Sequence, residues 1–286
     1  GMASALGIDL PRCYGPATPA IAAQAEVQFP VVVKPVFGHS FFTRFGCKLF
    51  TARDRADLDR YISLTTQAGE PCEMFDLIPG PATSIFAYTT YIDSRGEPSG
   101  GLTIRKLRLS PAFAGVSRVA EIVPDIPVMR DATIAFARRA GFRGMTDTEF
   151  KLDPRDGSYR FLEVNGRSVL FNSLLRRGGL DLAALAWGDY VEEQPQRVHP
   201  SGWPGVWVNL HADLLYSLLR HRQERLSFSA FLAPYRRPVI DAVWSARDPL
   251  PFFAQWSRTA GEAACAVLRG RLGKTLADHT GSTYDP

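Results

Sequence analysis

The chain has 286 residues, 45% of them hydrophobic and 22% charged, which excludes a disordered or fibrous protein and allows one large domain or two ordinary ones. The formal net charge of +4 suits anionic small molecules and is too weak to argue for nucleic acid as a partner. The four cysteines (Cys13, Cys47, Cys72 and Cys265) form no CxxC pair, so a zinc site or disulfide framework is not expected. Reduced thiols in a cytoplasmic protein are the reading. The five histidines show no HExxH spacing, and no apolar run approaches the roughly 20 residues of a membrane span. No signal peptide is visible, and the opening Gly-Met reads as a tag scar.

In chain order, P-V-V-V-K-P-V at 30–36 reads as a buried β-branched strand interrupted by Lys34. A loop rich in Gly and Phe is predicted over 37–46, then a short strand at 47–50 containing Lys48. A helix fits 54–68, and C-E-M-F-D-L-I at 72–78 reads as a strand stopped by Pro79-Gly80-Pro81. Strands follow at 83–93, 101–109 and 117–123, the second with a slip in its alternation at 105–106. A helix fits 127–140, with Pro127 at its start and Gly141 as its C-cap. Strands at 145–152 and 158–165 flank the turn sequence D-P-R-D-G, and a helix near 179–190 closes that part. The last third holds apolar helical stretches within 206–224 and 252–272, the latter with a basic end at Arg269, Arg271 and Lys274. The tail 273–286 is polar, with frayed ends expected. No GxGxxG occurs. G-K-T at 273–275 is no P-loop, because the glycine needed five residues earlier is Leu268. Mostly antiparallel connections argue for an α+β class.

The 145–165 hairpin carries the chemistry. On its first strand Asp147, Glu149 and Lys151 share a face, and on its second Glu163, Asn165 and Arg167 do. Symmetric closure about Asp156 puts Glu149 opposite Glu163 and Asp147 opposite Asn165. Like charges facing each other in a ladder are unfavourable. Two carboxylates and an amide oxygen make sense around a hard divalent cation, with Lys151 and Arg167 available to anionic oxygens. A solvated strand edge would carry the same residues, and the pattern alone leaves both readings open. Lys34, inside an apolar run, calls for an anion or a snorkelling path to water. Lys48, across the Gly/Phe loop, is a second candidate for a phosphate.

Six segments occur in one order: V-V-V-K-P, C-K-L-F, M-F-D-L-I-P-G, R-K-L-R-L-S-P, G-x-x-D-T-E-F-K and F-L-E-V-N-G-R. Together, over about residues 5–190, this order resembles the ATP-grasp superfamily, and within it the ATP-dependent carboxylate–amine ligase-like subgroup. G-I-D-L-P-R at 7–12 and W-S-A-R-D-P-L-P-F at 244–252 are similar to segments of that subgroup. The resemblance implies two α+β subdomains clasping a nucleotide, with a mostly helical C-terminal extension. The implied boundaries are 1–75, 76–190 and 191–286. It implies that Lys34 and Lys48 reach the nucleotide phosphates. Met74, Phe75, Asp76 and Leu77 match the hinge whose backbone holds adenine. Glu149, Glu163 and Asn165 match ligands of Mg²⁺ (or Mn²⁺), and Arg167, with Lys151 beside it, the phosphoryl-transfer centre. Arg105, Arg108 and Arg118 lie in a region that often faces the acyl substrate.

The sequence departs from that pattern in three places. Gly166 stands where a proline is usual, which frees the backbone there. No carboxylate follows the hinge to meet ribose hydroxyls, leaving Thr83 or Ser84. The usual N-terminal substrate domain is largely absent, so the substrate side would be incomplete, or completed by the C-terminal third, a partner or a second copy. The implied activity is an ATP- and Mg-dependent joining of a carboxylate to an amine through an acyl phosphate. The small-molecule acid and amine are the expected partners, and neither nucleic acid nor membrane is. A nucleotide-binding regulator without ligase chemistry, and an interaction protein with a merely charged surface, stay open as alternatives.

Overall fold

The computed structural model describes every residue except 25, 111–114, 225 and 269–286. The basic residues Arg269, Arg271 and Lys274, the G-K-T stretch and the polar tail therefore lie outside the described residues. Among the described residues, two compact units divide the chain: one holds Leu10–Pro79, the other Gly1–Asp9 and Gly80 to Leu268. Among the described residues, no helix is long and apolar enough to cross a membrane.

The short helix α1 (Met2–Ala5) belongs to the larger unit. The smaller unit follows as β1 (Cys13–Pro16), α2 (Pro19–Gln24), β2 (Val31–Pro35), α3 (Gly38–Phe45), β3 (Phe50–Ala52), α4 (Arg55–Gln67) and β4 (Cys72–Asp76). Its four strands form an antiparallel sheet in the order β1-β4-β2-β3. Alternation buries Val31 and Val33 with Met74 against Leu58 and Ile62 of α4. The Asp54 carboxylate caps α4 by accepting from the Asp57 N–H at 2.8 Å.

The Gly/Phe stretch is a helix, not the expected loop. Its glycines sit at the ends, where they do not weaken it: Gly38 opens α3 and Gly46 closes it at φ 68°. Phe41 and Phe45, one turn apart, pack with ring centroids 4.7 Å apart, and Phe41 is fully buried. The following strand begins at Phe50 rather than at 47, so Lys48 precedes it in an exposed bend.

The larger unit continues with β5 (Ile85–Ile92), β6 (Pro98–Ser110), β7 (Val116–Val123), α5 (Pro127–Ala140), β8 (Gly144–Leu152) and β9 (Tyr159–Asn165). Then come α6 (Asn172–Arg177), α7 (Leu182–Tyr190), β10 (Val206–Val208), α8 (Leu210–Glu224), α9 (Phe228–Leu232), β11 (Val239–Asp241) and α10 (Leu250–Leu268). Seven strands make one sheet, ordered β11-β10-β7-β6-β5-β8-β9. The structural boundaries differ from the expected 1–75, 76–190 and 191–286. The smaller unit runs to Pro79, residues 1–9 belong to the larger unit, and the last third adds β10 and β11 to its sheet. Strands of three residues are too short to stand out beside the apolar helical pattern that follows them.

Directly opposed residues share a sheet face. Ala87 of β5 lies between Ile104 of β6 and Glu149 of β8, whereas Phe86 lies between Arg105 and Phe150. The Ala87 face is apolar over part of its width, where Leu102 and Ile104 pack with Leu174, Leu175, Leu182 and Leu185 of α6 and α7. Further along the same strands it turns charged, with Lys106, Glu149 and Lys151. The Phe86 face packs against α5, whose Phe136 meets Phe161 at 5.4 Å between ring centroids.

The β8–β9 turn is held by Asp153, whose side chain is fully buried. Its carboxylate accepts from the Arg155 backbone N–H at 3.1 Å and from the Arg155 guanidinium at 2.6 Å. Those bonds hold it at a pKa of about 2, below the ordinary carboxylate value. Because the folded value is depressed, its stabilisation is present above pH ~4 and is lost as pH falls towards 2. Asp153→Asn should therefore cost about 2 kcal/mol at pH 7. Denaturant titrations at stepwise lower pH should show the gap from wild type closing between pH ~4 and ~2.

Candidate active site

The hairpin ladder sets the site. Asp147 lies opposite Asn165 and Glu149 opposite Glu163, the register expected from the turn. Beyond Glu149 the pairing shifts by one, Phe150 facing Phe161, so Leu162 is the extra residue of a β-bulge. The bulge separates the carboxylate pairs from the turn and keeps the phenylalanines on the α5 side.

Asp147 is buried, and its carboxylate accepts from Thr89 Oγ1 at 2.5 Å. Burial first, and the neighbouring Glu149 second, push its pKa up to about 6, against the pull of the Thr89 hydroxyl and Lys106. Glu149 accepts from Lys106 Nζ at 2.6 Å, and both side chains are mostly buried, 19% and 7% exposed. Glu163 at the last strand is exposed. Arg167 donates to Asn165 Oδ1 at 3.2 Å and to the Ser168 carbonyl at 3.0 Å. Lys151 is buried, which lowers its pKa to about 8 against the opposing field of Asp153.

All donors in the pairs are oxygens, which fits a hard cation such as Mg²⁺. Among the described residues no three His, Cys, Asp or Glu side chains already converge on one metal position. The set at hand is two carboxylates and an amide, Glu149, Glu163 and Asn165, backed by buried Asp147.

In the smaller unit Lys34 is half-buried, directly opposite Glu73, on the strand face shared with Val32 and Phe75. Met74 is fully buried in the core, so only its backbone is available to a ligand. Phe75, Asp76 and Leu77 are half-buried, and the strand ends at Asp76, just before the chain passes from one unit to the other.

No protein-family model matches the chain. It is 29% identical over 177 residues to a D-aspartate ligase of Enterococcus faecium, a match covering 59% of this chain and 41% of that one. The chain thus spans less than half of that relative's length. It is similar in structure to the N5-carboxyaminoimidazole synthetase of Staphylococcus aureus complexed with ADP, with a TM-score of 0.59 and 14% identity, covering 78% of this chain and 58% of that one. The biotin carboxylase domain of the Hydrogenobacter thermophilus 2-oxoglutarate carboxylase, complexed with MgADP, aligns with a TM-score of 0.54 at 16% identity, covering 72% and 47%. The chain has the ATP-grasp fold.

Within this ATP-grasp fold the three expected substrate arginines do not gather at the carboxylates. Arg105 lies on the Phe86 face, opposite to Glu149, and donates to Glu121 at 2.7 Å. Arg108 and Arg118 converge on Asp213 of α8, at 2.6 and 3.4 Å. Tyr235 also donates to Asp213, at 2.7 Å, and Arg108 further donates to the Ala230 and Phe231 carbonyls. That cluster ties the sheet to α8 and α9.

Lys106 is the residue missed by sequence reading. A signal existed: Leu102, Ile104 and Lys106 alternate, so the lysine stands where the pattern asks for an apolar side chain. Gly166 also has a firmer reason than backbone freedom. A Cβ there would lie 2.9 Å from the Phe142 ring, so the ring packs directly on the glycine. Gly166→Ala should destabilise the protein by about 1–2 kcal/mol through this overpacking. Chemical denaturation should show Phe142→Ala recovering part of that loss in the double variant, a non-additive cycle.

Proposed function

We propose that the chain takes part in an ATP- and Mg²⁺-dependent ligation of a carboxylate to an amine. The observation that carries this reading is the Glu149–Glu163 pair beside Asp147–Asn165 in one ladder of an ATP-grasp sheet. Four oxygen-bearing side chains in that register have little use on a strand edge and a clear use around a cation. The relative named a D-aspartate ligase and the neighbours complexed with ADP or MgADP support the direction.

In this reading Glu149, Glu163 and Asn165 hold Mg²⁺, which would offset phosphate charge and align the reacting phosphate. Lys34 and Lys48 contact the nucleotide phosphates, and the backbone of Met74, Phe75, Asp76 and Leu77 meets adenine. Arg167, now resting on Asn165, turns to the transferred phosphoryl group, and Lys151 supplies positive charge behind it. The acid's oxygen attacks the γ-phosphate, giving an acyl phosphate and ADP. The amine then displaces phosphate to leave an amide. The chain contributes alignment and charge neutralisation and needs no covalent nucleophile. Arg105, Arg108 and Arg118 act in holding Glu121 and Asp213, and we assign them no direct substrate contact. The free thiols of Cys13, Cys47 and Cys72 agree with a cytoplasmic setting.

A phosphate-release assay with Mg-ATP and amino acids, in all acid–amine pairings, tests the proposal. Release should require a carboxylate substrate and should fall at least ~100-fold in Glu163→Gln and in Glu149→Gln with the fold intact. Release that ignores added carboxylate, or is unchanged in both variants, contradicts it. By calorimetry, Lys34→Ala should weaken nucleotide binding more than Lys48→Ala, since Lys34 is the half-buried one of the two and Lys48 is exposed. Equal dissociation constants would count against that ranking.

A further inference from the structure

Lys106 lies where the apolar half of the sheet face becomes charged. Its neighbour two positions back, Ile104, is opposite Ala87, and Ala87 is opposite Glu149. Ala87 carries no side chain beyond Cβ, so nothing on β5 at that point blocks a long side chain of β6 from reaching β8. The Lys106 ammonium reaches β8 and sits 2.6 Å from Glu149 Oε1. With both groups mostly out of water, the contact is a strong, poorly screened ion pair.

We propose that Lys106 is a positioning residue of the cation site, holding Glu149 in place and setting the site to favour a divalent cation that arrives with a polyphosphate over the bare ion. This rests on the cation reading of the Glu149–Glu163 pair. One Glu149 oxygen is engaged by the ammonium, and the other is left for a cation. A bare divalent ion would then sit beside a fixed positive charge in a poorly screened setting. A cation that arrives on a nucleotide brings anionic oxygens that offset both charges. Arg167 acts in the same sense on Asn165, at 3.2 Å, though from an exposed position.

The test is a Mn²⁺ titration followed by electron paramagnetic resonance, with and without saturating ADP, on wild type, Lys106→Met, Lys106→Arg and Glu163→Gln. Lys106→Met should bind Mn²⁺ alone about tenfold more tightly than wild type, and this advantage should shrink or reverse with ADP present. Lys106→Arg, which keeps the charge, should stay close to wild type. Lys106→Gln serves in place of the methionine variant should that fail to fold, with the same expected direction. Unchanged or weaker Mn²⁺ affinity in a folded neutral variant overturns the proposal. A merely structural role would lower the melting temperature and leave the difference between free and ADP-bound Mn²⁺ unmoved. Should Glu163→Gln lose Mn-ADP binding while Lys106→Met matches wild type, only the role of Lys106 fails. Should Glu163→Gln bind Mn-ADP as wild type does, the cation reading fails and the role of Lys106 falls with it.

Discussion

Two carboxylates placed directly across a β-ladder repel each other, and much of the larger unit is arranged around that pair. Glu149 and Glu163 meet because the turn at Asp153 and the bulge at Leu162 fix the register. A slip of one residue would send the charged set to the α5 side and the phenylalanines towards α6 and α7. The repulsion is offset locally. Lys106 neutralises Glu149, and the Thr89 hydroxyl supports Asp147. Burial first, and the charge of Glu149 second, still push Asp147 towards its protonated form.

The sheet face that bears these groups is also the face on which the main core is built. Leucines of α6 and α7 cover it at one end and leave the other end to Lys106, Glu149 and Lys151. Rigid apolar packing on the same strands holds the polar groups in register, which favours precise binding geometry. At the β6–β7 side, Asp213 draws two guanidiniums and a tyrosine hydroxyl together. Removing one member of such a buried cluster leaves uncompensated charge and costs about 3–5 kcal/mol. Arg108 and Arg118 are thus busy holding α8 and α9 to the sheet.

The hairpin was legible in the sequence because its information is local. A D-P-R-D-G turn and two alternating strands fix which residues face each other within some twenty positions. The buried lysine-bearing strand and the glycine-capped α5 were legible for the same reason. What escaped was set by distant partners. Nothing near Arg108 or Arg118 announces Asp213, about a hundred residues away in the chain. Arg105 and Lys106 look equivalent as adjacent basic residues, yet they point to opposite faces, and the slip in alternation hid which one belonged with the carboxylates. The Phe-rich stretch reads as a loop by its glycine content, because composition alone does not show that Gly38 and Gly46 sit at the helix ends. Composition gave no hint that the last third adds strands to the main sheet.

The proposed cation site requires that Glu149, Glu163 and Asn165 jointly hold a divalent cation that accompanies a nucleotide. Anomalous diffraction from crystals grown with Mn²⁺ and ADP tests it most directly. The expected result is a manganese peak within coordination distance of all three side chains, with Lys106 still beside Glu149. A nucleotide-bound crystal with no such peak, or with manganese held elsewhere, would contradict it.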